Sequence, residues 1–280
     1  MDNKEKDIVL SNNPVLTKDQ HTIPECYLKN FIDDDSLLYQ RDKTLDDSKN
    51  SRVVSIEKAT VKRKFYTLNG SYPMLMETDI YGNVLEKDYP KMYVYLISKN
   101  PEDLDLSTKE SILIFFFSLY CRTPKHFDIF LKSVPNEYLF ELDKIKEDYK
   151  IAHFKDVVMG MVDAHISKKF TIITSVDSSE FISCDNPVII QNKLGQLETY
   201  TFGSQRIVNH NIAIPLNRKK CLLLTNFIDQ NDQIIYNHSD NFKIYQGNAT
   251  KEYVNNINLL LRGTSERYIY GSKKGLNIIS

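Results

Sequence analysis

Apolar and polar positions change period along the chain, and the changes divide it into blocks. In "QHTIPECYLKNFID", Ile23, Tyr27, Leu28 and Phe31 fall on one helical face, with Thr22 as a cap and Pro24 in the first turn. "LLYQRD" and "VVSIEKATVKRKFYTL" are rich in β-branched and aromatic residues and read as strands. "YGNVLEKDYPKMYVYLIS" reads as helical in part, with limits blurred by Gly82 and Pro90. Ser107 and Glu110 form a capping box before the apolar run "ILIFFFSLY" at 112–120, which predicts a buried helix. Pro124 then opens another helix, and helical stretches follow at about 136–149 and 151–168.

After residue 168 the pattern shortens. "FTIITS", "EFIS", "PVIIQ", "NIAIPL" and "KCLLLTN" are brief apolar runs separated by turn residues, which predicts strands. "ATKEYVNNINLLLRG" returns to helix, with Thr250 as cap and Gly263 as stop, and "ERYIYGS" is a last strand. The blocks predict an α+β fold: a mixed or antiparallel sheet with a mainly helical middle segment. Residues 1–19 read as a loose arm and 20–280 as one domain with a helical insertion at about 100–168. Division near 100 and 169 into a helical and a β lobe is the alternative.

Composition adds limits. Thirty-six basic against 37 acidic residues give a formal charge of −1, so any role with nucleic acid needs a local basic patch. Cys26, Cys121, Cys184 and Cys221 form no C-x-x-C pair, which argues against structural zinc and for a reduced, cytoplasmic protein. The longest apolar run is far shorter than the ~20 residues of a membrane span, so no membrane association is expected.

Six segments in order carry a likeness: "HTIPECYLKNF", "KFYTLN" with a following Glu, "SLYCRTPKHF", "FISCDNPVII", "IAIPLNRKKCLLL" and "VNNINLLLRGTSERYIYGS". Together, over about residues 21–272, they resemble the bacterial domain of unknown function 4238. Two departures stand out: Lys29 where Arg is usual, which loses a bidentate fork, and Cys184 inside the Ser-Asp-Asn-Pro signature. The resemblance implies an intracellular microbial protein of unknown biochemistry, in a defence or toxin context.

Certain polar groups interrupt apolar segments, where an unpaired charge is expensive. His21 is a candidate general base or metal ligand, against a capping or core histidine. Ser183, Asp185 and Asn186 precede Pro187; they read either as an Asx turn or as groups projecting from a strand end into a pocket. Glu77 and Glu86 could offer carboxylates to Mg²⁺ or Mn²⁺. Arg122 reads as a helix C-terminal cation or a phosphate ligand, and His126 as a weaker candidate. Asp163 and His165 diverge on their helix, leaving His165 a core residue. Lys62 and Lys64 share one strand face and could meet phosphate or guard an edge.

Two functions follow. The first is a metal-assisted hydrolase of nucleic acid or a nucleotide. In it His21, Asp185 and Asn186 are catalytic, His21, Asp185 and Glu86 hold the metal, and Lys29, Arg122 and Ser183 bind substrate. The second is a non-enzymatic interaction or sensor protein that works with a protein partner. Convergence of His21, Arg122 and Asp185 in one pocket is the arrangement that would favour the first.

Overall fold

The computed structural model describes residues 19–45, 51–69, 72–98, 103–199 and 209–277. The expected N-terminal arm lies outside them, except for Asp19. In chain order the strands are β1 (Asp19–His21), β2 (Leu38–Asp42), β3 (Ser51–Val54), β4 (Val61–Arg63), β5 (Lys169–Ser175), β6 (Ser183–Cys184), β7 (Ile189–Gln191), β8 (Asn211–Pro215), β9 (Lys220–Thr225), β10 (Ile244–Ala249) and β11 (Tyr268–Gly271). The α-helices are α1 (Glu25–Leu28), α2 (Tyr89–Ile97), α3 (Leu106–Cys121), α4 (Pro124–Ser133), α5 (Leu142–Ala152), α6 (Met159–His165), α7 (Lys251–Thr264) and α8 (Lys273–Asn277). This is the α+β class, with antiparallel and mixed sheets around a helical middle.

A five-stranded sheet, ordered β10-β5-β9-β8-β7, is antiparallel except where β10 runs parallel to β5. Its two faces follow the period of two in the sequence. Phe170, Ile172, Ile212, Ile214, Leu222 and Leu224 face one core, shared with the apolar body of α3. Ile173, Ala213 and Cys221 face the other, closed by Val254, Ile257 and Leu261 of α7. The sheet is therefore a middle layer between α3 and α7. A four-stranded sheet, β3-β2-β11-β6, shares the second core through Ile269 and Cys184, and β1 pairs with β4 as a separate ribbon.

Several local expectations change. Asp105, not Ser107, caps α3, its carboxylate accepting the Thr108 N–H, so the helix starts two residues earlier. Pro24 occupies the N-cap position of α1, and the Thr22 hydroxyl donates instead to the Thr60 carbonyl at 2.9 Å. Gly263 lies inside α7, which runs on to Thr264. β10 and α8 were not foreseen.

α3 also buries a cation. The Lys109 ammonium donates to the Lys168 carbonyl at 2.8 Å, and to the carbonyl and Oδ1 of Asn241, both at 2.6 Å. Burial pushes its pKa down to about 7, yet three acceptors use all three protons of an ammonium. Lys109→Met should therefore strand these acceptors and lower stability by about 3–5 kcal/mol, read from the urea unfolding midpoint.

Candidate functional site

A cleft of about 830 Å³ opens between the β1–β4 ribbon and the exposed face of the four-stranded sheet. Residues from distant segments line it: Thr22, Arg52 to Ser55 of and after β3, Lys58, Thr60, Lys62, Pro124, Asp185, Glu266 to Tyr268, and Tyr270. Four cations, Arg52, Lys58, Lys62 and Arg267, stand against two carboxylates, Asp185 and Glu266. The cleft thus has the local positive balance that the chain as a whole, at −1, lacks.

The cations are held differently. Arg52 donates through Nε and Nη2 to Oε1 of Gln40, at 3.2 and 3.1 Å. Gln40 in turn donates to the Tyr270 hydroxyl at 3.3 Å. Arg267 donates to Asp42 at 2.7 Å and lies 5.0 Å over the Tyr268 ring. The side chains of Lys58 and Lys62 are exposed and carry no ion pair or hydrogen bond among the described residues. Two cations are preset and two are free to close on an anion.

Backbone strain sits in the same wall. Thr60 has φ +58°, a left-handed conformation that a β-branched residue rarely adopts. Four hydrogen bonds hold it there: its carbonyl accepts from the Thr22 N–H and hydroxyl, its hydroxyl donates to the Ile23 carbonyl, and the Ile23 N–H donates back. The "HTIP" segment and the turn before β4 are in effect one unit.

Asp185 has a structural task. Oδ1 accepts the Glu266 N–H and Oδ2 accepts those of Arg267 and Tyr268, all at 2.8 Å. Asn186 donates to the Thr264 carbonyl at 3.3 Å, and the Thr264 hydroxyl donates to the Asn186 carbonyl at 2.9 Å. Ser183 is buried in β6 opposite Tyr270. The "SCDNP" knot therefore ties the end of α7 and the start of β11 to β6. Both Asp185 oxygens accept main-chain N–H groups, so the side chain holds the fold together where it lines the cleft.

Arg122 is the centre of a second cluster. It is 2% exposed, its Nη1 donates to Glu86 at 2.8 Å and its Nη2 to the His21 carbonyl at 2.7 Å. The guanidinium lies 4.0 Å over the Tyr81 ring, and the Tyr66 hydroxyl donates to the Arg122 carbonyl at 2.5 Å. His21 meets Glu25 at 3.2 Å, and burial lowers its pKa despite that carboxylate. Burial, with Glu86 nearby, raises the Glu77 carboxyl to about 7, and its buried Oε2 has no hydrogen-bond partner among the described residues.

Both glutamates come from one π-helix, Leu75–Glu86. They are nine positions apart (86 − 77), about two and a half α-helical turns, which in an α-helix would set them on opposite faces. The wider i→i+5 turn lets both face Arg122.

His21, Arg122 and Glu86 converge, whereas Asp185, which the sequence reading set with His21 and Arg122, stands outside their contacts. It shares the cleft lining with Thr22 and Pro124, chain neighbours of His21 and Arg122. Among the described residues no three His, Cys, Asp or Glu side chains are placed to hold a metal ion. The set His21, Glu86 and Asp185 is not assembled, because Arg122 takes Glu86 and the chain at 266–268 takes Asp185.

Lys29 only pairs with Glu25 at 3.9 Å and its side chain is 60% exposed, an arrangement of little energetic weight. His126 is buried, its N–H donating to Thr123, which caps α4. His165 is a core residue, its Nδ1 at 2.6 Å from the Met161 carbonyl, with burial lowering its pKa to about 3. Sequence reasoning had singled out Lys62 but missed Arg52, Lys58 and Arg267. Arg52 on a strand otherwise built of Ser and Val was the available signal.

Among the described residues no helix is long and apolar enough to cross a membrane. No curated protein and no solved structure matches the chain. The family described as a protein of unknown function, DUF4238, matches residues 19–275, nearly the whole length, and the chain belongs to that family.

Proposed function

We propose that the cleft binds a phosphate-bearing ligand of the nucleotide or nucleic-acid class. The observation that carries this reading is the local excess of cations, two of them unpaired, in a chain without a global positive field. Lys58 and Lys62 would neutralise phosphate, and the hydroxyls of Ser55 and Thr60 line the same wall. Tyr268, already under the Arg267 guanidinium, offers a face for a base. The four free cysteines, three of them buried, suit the reducing cytoplasm in which such ligands are met.

Fluorescence anisotropy of a labelled single-stranded oligonucleotide, with competition by free nucleotide, tests the reading. Lys58→Ala and Lys62→Ala should each weaken binding and flatten the slope of log affinity against log salt by about one. Unchanged slopes in both variants would sink it. The same mixtures, assayed for product with and without Mg²⁺ or Mn²⁺, separate a hydrolase from a protein that only binds. His21, one residue from Thr22 in the cleft lining, is the group to replace if product forms.

A further inference from the structure

We propose that a small cavity behind the cleft binds a free α-amino acid of short side chain, its carboxylate on Lys125 and its ammonium on Asn186 and Glu198. The inference goes beyond the reading of the cleft, since the two spaces have no lining residue in common.

The cavity, of about 120 Å³, lies where the start of α4, the end of α7 and the chain on either side of β7 meet. It backs onto the cleft wall: Pro124, Asp185 and Glu266 line the cleft, whereas Lys125, Asn186 and Thr264 line the cavity. Asn186, Val188 and Thr264 are buried at its inner end, and Leu197 and Glu198 are exposed at its mouth. Inside α7, Gly263 admits Leu197, whose Cδ1 would lie 2.6 Å from a Cβ at that position. A space slightly smaller than the ~150 Å³ that holds benzene takes about five to seven heavy atoms, too few for a nucleotide.

Its polar groups are incompletely matched. The Asn186 amide is oriented by Nδ2, which donates to the Thr264 carbonyl at 3.3 Å, and its Oδ1 is buried without a donor. The residue is 4% exposed, so that oxygen costs stability until something donates to it. The Lys125 ammonium donates to the Thr264 carbonyl at 2.6 Å and, at 3.5 Å, to that of Gly263. Its third proton has no acceptor among the described residues. Asp185 and Glu266, the carboxylates that oppose its charge, line the cleft instead. Glu198 accepts from the Asn192 amide at 3.0 Å and pairs with no cation among the described residues.

An occupant must therefore give a donor to Asn186, an anionic acceptor to Lys125 and a positive charge to Glu198. An α-amino acid carries carboxylate and ammonium on one carbon and brings no net charge into the cavity. A short side chain meets the apolar Ile129, Val188 and Leu197, and a long one has no room.

Titration of alanine into the isotope-labelled full chain, followed by NMR, reads the cavity with no nucleotide present. The Asn186 side-chain amide and the backbone amides of Val188 and Thr264 should shift together and saturate. Glycine should do the same, whereas leucine, acetate and methylamine should give no saturating shift. Glu198→Gln, a change at an exposed position, should weaken alanine binding by about tenfold, and Lys125→Gln by at least as much. No shift at any alanine concentration would overturn the proposal, as would leucine or lactate binding as tightly as alanine, or unchanged affinity in Glu198→Gln. None of these results requires Lys125→Gln to fold. Nucleotide in the cleft moves a different set of amides, so the failure of one site leaves the other standing.

Discussion

Asp185→Ala should unfold the chain or cost about 3–5 kcal/mol, rather than give a folded protein with an impaired site. The side chain accepts three main-chain N–H groups at 2.8 Å from a residue 8% exposed. Each donor left without an acceptor costs about 1–3 kcal/mol. The damage falls where β6, the end of α7 and the start of β11 are joined, so no alternative acceptor is at hand. Asp185→Asn keeps one acceptor oxygen but turns an NH₂ toward a donor, and should fall between the two. Chemical denaturation gives the answer directly. A folded Asp185→Ala protein of near-native midpoint would return Asp185 to the list of chemical groups.

The second large effect belongs to Arg122. Replacing it by Met should cost about 3–5 kcal/mol, because the partners of a buried pair lose their counter-charge and donors together. Glu86 and the His21 carbonyl would both lose their donor, and Tyr81 would lose the cation over its ring. Arg122→Lys retains the charge but not the fork that reaches two acceptors at once, so it should recover only part of the loss. Lys29→Ala, which removes a solvent-exposed pair, provides the contrast and should shift stability by no more than about 0.5 kcal/mol. Differential scanning calorimetry of the three variants orders them, and a Lys29 effect as large as that of Arg122 would invert the account of the cluster.

How much of this was legible in the sequence depends on the range of the interaction. The apolar run at 112–120 declared a buried helix because its composition admits no exposed face. Strands β5, β7, β8 and β9 of the five-stranded sheet were visible as brief apolar runs between turn residues. β10 was not, since "IYQGNA" pairs along β5 with mostly polar side chains. The Asx-turn reading of Asp185 expected a local bond, whereas its side chain bonds far along the chain. Its donor partners lie 81 to 83 positions further along, and no local pattern reveals them.

The cluster and the cleft are likewise built from contacts far apart in the chain. Glu77 and Glu86 look unrelated at a period of 3.6, and only the π-turn aligns them. Their meeting with Arg122 and His21 spans about a hundred positions and three elements. The cleft is assembled from segments between Thr22 and Tyr270, so its charge is a property of topology rather than of any one stretch. The segments that carry the likeness to the family meet at the cleft and the cluster: five of the six contribute a lining residue or an Arg122 contact. It did not say which side chains among them face the cleft.

The cleft is the account's central claim, and chemical-shift mapping by NMR addresses it most directly. A nucleotide titrated into the isotope-labelled chain should move the amide signals of Thr22, Arg52, Lys58, Lys62 and Tyr268 together, with one apparent Kd. Lys58→Ala combined with Lys62→Ala should weaken that Kd while leaving the fold intact. Shifts confined to other surfaces, or no shifts at any nucleotide concentration, would contradict it.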